Sequence, residues 1–202
     1  MVGRSNVGKS SLINALTGRK IARAGAKPGT TRLINIYGIS VSWTSRQKPT
    51  RLTFADLPGY GFARGGMKTR LEFNAMTEDF FNQFSQLSSP QTGTSKNCLS
   101  GIILVLDGRH PGLENDLTAY QWLSDKNLST IIVTTKNDRM TRNEQDKTNK
   151  GHALAVNRTV IASSSRSGLG ISAIWTSIKA CYNVYFVILG VFCESGYSSR
   201  LP

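Results

Sequence analysis

Short apolar runs rich in β-branched residues alternate along the chain with stretches of helical period. Leu33–Trp43 and Arg51–Ala55 read as neighbouring strands. In the first, apolar residues fall at Ile34 and Ile36 and then at Ile39, Val41 and Trp43, so the two-residue period slips at Gly38 and predicts a bulge there. Ile102–Leu106, Thr130–Val133 and Thr159–Ala162 are apolar without alternation, as strands covered on both faces are. Leu113, Leu117, Tyr120 and Leu123 recur at helical spacing, and Thr141-x-x-Glu144 is a capping box that opens another helix. Ser85–Ser100, rich in Ser, Thr and Gln, reads as a loop. Strands alternating with helices predict one α/β domain with a doubly wound, mostly parallel sheet flanked by helices.

Composition narrows the class. At 202 residues, with 39% apolar and 18% charged residues, the chain is too apolar and too weakly charged to be wholly disordered. No apolar run approaches the roughly 18 residues of a membrane-spanning helix, so no membrane partner is expected. Cys98, Cys181 and Cys193 are odd in number and far apart, which favours a reducing compartment over a disulfide framework or a CxxC metal pair. The net charge of +13 is unevenly placed: residues 1–70 hold thirteen basic residues against one acid, Asp56, whereas 71–202 are nearly balanced. A phosphate or nucleic-acid partner should therefore meet the first third of the chain, the plainer alternative being a solvated basic face.

Gly3-Arg4-Ser5-Asn6-Val7-Gly8-Lys9-Ser10 matches G-x-x-x-x-G-K-[ST] at every fixed position. Glycines let backbone N–H groups fold around phosphate oxygens without Cβ clashes. Lys9 is expected to reach the terminal phosphates, Ser10 to ligate Mg²⁺, and the helix opening at Ser11 to add a dipole favourable to anions.

Further motifs follow in the order such a site requires. Asp56-Leu57-Pro58-Gly59 succeeds a strand, where Asp56 can hold a water on Mg²⁺ and the Gly59 N–H can meet a γ-phosphate. Thr31 lies between these motifs in a Gly-containing loop and can complete the Mg²⁺ shell. Thr135-Lys136-Asn137-Asp138 ends another strand, and the Asp138 carboxylate can accept two hydrogen bonds from guanine N1–H and the 2-amino group. Adenine offers neither donor, so discrimination against it should be strong. Ser163-Ser164-Ser165 follows the last strand and can touch the O6 edge of the base. Five such motifs in register point to a guanine-nucleotide switch.

The segments Gly3–Leu16, Pro28-Gly29-Thr30-Thr31-Arg32-Leu33-Ile34-Asn35 and Asp56-Leu57-Pro58-Gly59-Tyr60-Gly61-Phe62-Ala63 resemble the EngB/YihA-type GTP-binding proteins. Asp107-Gly108-Arg109-His110 and the TKxD form, with Thr135 for the usual Asn, also match. The resemblance implies a Ras-like P-loop NTPase fold, GTP and GDP as ligands, Mg²⁺, and a role in assembling the large ribosomal subunit, with rRNA as partner. It also implies a link to cell division and septum formation. Lys9, Thr31 and Gly59 would serve catalysis. The nucleotide would be bound by Gly3, Arg4, Ser5, Asn6, Val7, Gly8, Lys9, Ser10, Ser11, Asp56, Gly59, Thr135, Lys136, Asp138, Ser163, Ser164 and Ser165. Ser10, Thr31 and Asp56 would hold Mg²⁺, and Asn6 a K⁺ ion, as in related translation GTPases. Tyr60 stands where many small GTPases place a catalytic Gln, which implies slow intrinsic hydrolysis. A monomer is expected, in bacterial cytoplasm or in a mitochondrial or plastid matrix.

Two features depart from the pattern. The phosphate-binding loop begins at Gly3, and Met1 and Val2 are expected to be too few for the buried strand that should precede it, so 1–179 reads as an N-terminally truncated G domain. The remainder, 180–202, is an atypical apolar tail whose run Val184–Phe192 is too short to span a bilayer and too apolar to stay exposed. One reading places that β-rich run in the vacant strand position before Gly3. The alternative function under truncation is a basic RNA-binding module with a vestigial nucleotide site. Of the remaining residues, His110 is expected in a turn, His152 on the surface, and Phe73, Phe80, Phe81 and Trp122 in the core. Lys68 and Arg70 are expected against RNA phosphates.

Overall fold

The computed structural model describes residues 1–25, 33–44, 48–60, 75–83, 99–126 and 128–193, with 183–193 as backbone. Thr31, Lys68, Arg70, Phe73 and most of the expected loop Ser85–Ser100 lie outside the described residues. The elements run β1 (Val2–Gly3), α1 (Lys9–Thr17), β2 (Asn35–Val41), β3 (Thr50–Asp56), α2 (helical residues 75–83), β4 (Ile102–Asp107), α3 (Glu114–Ser124), β5 (Thr130–Thr135), α4 (Arg142–Val156), β6 (Ile161–Ala162) and α5 (Ile171–Cys193).

Strands β1, β4, β5 and β6 form a parallel sheet in that order. All six residues of β4 are buried, because its side chains enter two different cores. Ile103 and Val105 face a cluster with Leu12, Ile13 and Leu16 of α1 and Ile174 of α5. Ile102, Leu104 and Leu106 face Phe80 and Phe81 of α2, Leu123 of α3 and Val156 of α4. This two-sided burial is why the strand reads as an unbroken apolar run. Phe81 meets Trp122 edge-on at 5.2 Å, in the core position expected of both rings.

The antiparallel hairpin β2–β3 lies beside β1. The amino group of Met1 donates to the Ala55 carbonyl, Leu57 N–H donates to the Met1 carbonyl at 3.2 Å, and Arg4 and Tyr60 form a parallel bridge. The strand expected to be missing is therefore present in short form. Val2 and Gly3 pair in parallel with Leu104 and Val105, and Met1 and Val2 are both buried. The backbone around this short strand is bonded on both sides, to β4 and to the end of β3.

Two further expectations are corrected. No bulge occurs at Gly38: pairing runs unbroken from Asn35 opposite Asp56 to Val41 opposite Thr50. Tyr37 and Ile39 pack against the core while Ile36 is 57% exposed, so the true alternation skips the isoleucine that set the apparent phase. The run Val184–Phe192 does not enter the sheet, because its backbone continues α5 to Cys193. The helical phase is already set upstream by Ile174, Trp175 and Ile178 against α1, and the Trp175 indole N–H donates to the Leu16 carbonyl at 3.1 Å. Among the described residues no helix is long and apolar enough to cross a membrane.

Candidate functional site

The loops that leave β1, β4, β5 and β6 emerge at the carboxyl edge of the parallel sheet, where open α/β sheets bind ligands, and the segment after β3 joins the β1 loop there through the Arg4–Tyr60 bridge. The loop after β1 turns into α1 through Gly8, whose φ of 110° is a left-handed value that disfavours side chains. Asn6 also takes a positive φ, 60°, and is exposed. Lys9 opens the helix and is buried, with its ammonium donating to the carbonyls of Gly3 at 3.0 Å and Arg4 at 3.1 Å. Burial lowers its pKa to about 8, against the opposing pull of Asp56.

Asp56 ends β3, fully buried, and accepts from the Ser10 hydroxyl at 2.6 Å through Oδ2. Its other oxygen, Oδ1, is buried without a hydrogen-bond partner. A hydroxyl beside a buried carboxylate oxygen with spare capacity is a hard-oxygen donor set, which fits Mg²⁺. Gly59 packs so closely on the loop that an added Cβ would stand 2.5 Å from the Ser5 Cα. Beyond it, the Ser5 N–H donates to the Tyr60 carbonyl at 3.1 Å.

The segment after β5 is tied to the same loop. Thr135 Oγ1 donates to the Val7 carbonyl at 2.6 Å and lies 3.1 Å from that of Leu106. Lys136, at a φ of 62°, donates to the Asn6 carbonyl at 2.7 Å and to Asp107 Oδ2 at 2.9 Å. Asp107 also receives both Nε and Nη2 of Arg109, at 2.9 and 2.8 Å. Burial alone would raise the Asp107 pKa, but these donors together hold its carboxyl well below the usual range. Asp138 is exposed, and its Oδ1 accepts from the Ser164 hydroxyl at 2.6 Å.

Among the remaining sequence-predicted site residues, Ser10 and Ser11 lie in the first turns of α1 and Ser165 in the turn after β6. Ser163 does not present its hydroxyl to this edge: its Oγ donates inward to the Thr134 carbonyl at 2.8 Å, and its N–H does likewise at 2.7 Å. Thr31 lies outside the described residues.

Two residues escaped the sequence reading, and a third, His152, is placed differently from its expectation. Asn137 is buried, its side-chain amide donating to the Thr134 and Ser163 carbonyls at 3.1 and 3.0 Å, which joins the β5 and β6 loops. Its place inside TKxD was the available signal. His152 is buried rather than on the surface, with Nε2 3.2 Å from the Asp107 carbonyl. Its polar neighbours along α4 concealed that it takes the inward position one turn before Val156. Asp116 reaches from α3 to Arg4 and Tyr60, and no motif marked it.

Comparison with known proteins gives the family and the fold. Residues 1–136 match the family described as 50S ribosome-binding GTPase. The chain is 38% identical over 176 residues to the Probable GTP-binding protein EngB of Thermotoga maritima, covering 85% of this chain and 79% of that one. A crystal structure of a probable GTP-binding protein EngB superposes with a TM-score of 0.62 at 24% identity, over 89% of this chain and 95% of that one. Era in complex with MgGDPNP and nucleotides 1506–1542 of 16S ribosomal RNA shares the fold, with a TM-score of 0.58 at 19% identity over all of this chain and 57% of that one. The chain belongs to the EngB-type GTP-binding proteins of the 50S ribosome-binding GTPase family, and is a GTPase.

Proposed function

We propose that this chain is a slow, Mg²⁺-dependent GTPase switch acting in assembly of the large ribosomal subunit. The observation that carries the reading is the meeting at one sheet edge of Lys9, the Ser10–Asp56 pair, Gly59 and the Thr135–Asp138 segment. In this reading the N–H groups of Gly8, Lys9 and Ser10 and the Lys9 ammonium bind the phosphates, and Asp138, oriented by Ser164, selects guanine. Ser10, Asp56 and Thr31 hold Mg²⁺, which when bound neutralises developing charge on the phosphate oxygens. The exposed Asn6, a neutral amide, suits a weakly hydrated K⁺ ion. Tyr60 has no amide to orient an attacking water, so hydrolysis is slow until a partner contributes.

The ribosomal part rests on the description of the family and on the basic first third of the chain, whose charge suits rRNA. The link to cell division is an expectation of the family resemblance alone.

The first test is a titration with a fluorescent GDP analogue and Mg²⁺, competed with unlabelled GTP, GDP and ATP. Guanine-selective displacement is expected, and displacement by ATP as effective as by GTP would overturn the nucleotide assignment. Co-sedimentation with large-subunit precursors should be stronger with a non-hydrolysable GTP analogue than with GDP. Association indifferent to nucleotide would instead indicate a basic RNA-binding module. Equal hydrolysis rates in K⁺ and Na⁺ would remove the role of Asn6.

A further inference from the structure

Asp116 lies in the first turn of α3 and is only 4% exposed. Its Oδ1 accepts two bonds from separate parts of the nucleotide edge: the Tyr60 hydroxyl at 2.9 Å and Arg4 Nε at 3.0 Å. Its Oδ2 is buried without a hydrogen-bond partner. A buried carboxylate left half satisfied is a poor device for stability alone, since an apolar side chain of similar size would avoid its desolvation. Burial raises the pKa of Asp116, against the pull of Arg4, and also raises that of Tyr60, which keeps the phenol protonated as a donor.

The two residues it holds are neighbours across the seam between β1 and the end of β3. Arg4 and Tyr60 pair as a parallel bridge, and the Ser5 N–H donates to the Tyr60 carbonyl. Gly59, directly before Tyr60, is thereby pressed against the Ser5 backbone, closely enough that no side chain would fit. The main-chain pairing sets the register, and the Asp116 carboxylate fixes the two side chains that flank it.

We propose that Asp116 is a positioning residue for the γ-phosphate: by clamping Tyr60 to Arg4 it holds Gly59 against the phosphate-binding loop and so favours triphosphate over diphosphate. The inference rests on the reading of Gly59 as the γ-phosphate contact. Because GDP lacks that phosphate, loss of the clamp should be felt by GTP alone.

The test compares Tyr60→Phe, Asp116→Asn and Asp116→Ala with the full wild-type chain. Affinities for GDP and for a non-hydrolysable GTP analogue are measured with Mg²⁺, alongside the melting temperature. Tyr60→Phe keeps the ring and deletes only the hydroxyl, so it separates the clamp from folding. GDP affinity is expected within about twofold of wild type, while affinity for the GTP analogue falls about tenfold, the scale of one hydrogen bond to a charged group. Asp116→Asn, which retains an acceptor for Tyr60, should fall between wild type and Asp116→Ala. A Thr141→Ala variant, which lowers stability at the distant α4 cap, should leave the GTP-to-GDP ratio unchanged. A ratio unchanged in Tyr60→Phe, or equal losses for both nucleotides, would overturn the clamp with the site reading intact. Failure of the wild type to bind GDP would overturn the site reading and the clamp with it.

Discussion

Thr135 Oγ1 donates to the carbonyl of Val7 at 2.6 Å, so a hydroxyl at the end of β5 fastens the phosphate-binding loop from a position 128 residues along the chain. The same hydroxyl lies 3.1 Å from the Leu106 carbonyl, which places it between two strands and the loop. Thr135→Val preserves shape but removes the donor and leaves the buried Val7 carbonyl without it. Such a loss costs about 1–3 kcal/mol. The expected result is a lowered melting temperature together with weaker GDP binding, both restored by Thr135→Ser. Equal GDP affinity in Thr135→Val and wild type would show that the loop holds its shape without this tie.

Base selection is predicted to separate from stability at Asp138. The carboxylate is exposed, but Asp138→Ala also removes the acceptor of the buried Ser164 hydroxyl, so the expected cost is about 1 kcal/mol, too little to unfold the domain. Guanine-nucleotide binding should nevertheless be lost in competition assays. Ser164→Ala removes the 2.6 Å bond that orients the carboxylate and should weaken GDP binding by a smaller factor, with GTP and GDP affected alike.

The sequence was most legible where local chemistry fixes the backbone. The fold class, the parallel strands, the capping box at Thr141 and Glu144, and the motifs on the loops after β1, β3, β5 and β6 all follow from spacing alone. It was least legible where a long-range partner decides. Two residues before the loop look too few for a strand, because pairing on both sides is invisible in a linear pattern. The phase of β2 misled because Tyr37 takes the inward place. Ser163 carries the right side chain in the right loop, yet its hydroxyl closes onto Thr134. Asp116 and His152 sit in polar surroundings along the chain, and only the fold brings them inside.

His152 gives a prediction for acid pH. Burial lowers its pKa below the ordinary 6.5, against bonds and charges from Asp107, Gly108 and Asp116 that favour the proton. The unfolded chain therefore binds this proton before the folded one does, and the stability contributed by the neutral ring is lost as pH falls below 6.5. Denaturant melts between pH 7.5 and 5 should show this decline. His152→Gln, which cannot take up the proton, should flatten the difference over that range.

Lys9 predicts opposite trends in stability and binding at alkaline pH. Burial lowers its pKa to about 8 from the ordinary 10.5, so between those values the folded chain holds a neutral amine while the unfolded chain keeps its proton. With more protons bound in the unfolded state, stability contributed by this group rises with pH, by at most about 1.4 kcal/mol per pH unit. Nucleotide affinity should move the other way, because a neutral amine offsets no phosphate charge and gains less from an anion. Fluorescent GDP titrations from pH 7 to 9 should weaken past about 8 while melting temperatures hold or rise. Lys9→Met should bind weakly at every pH and lose both slopes. Affinity that stays level across this range in the wild type would mean that no proton is taken up on binding, so that Lys9 keeps its proton in the free protein and burial does not lower its pKa to about 8.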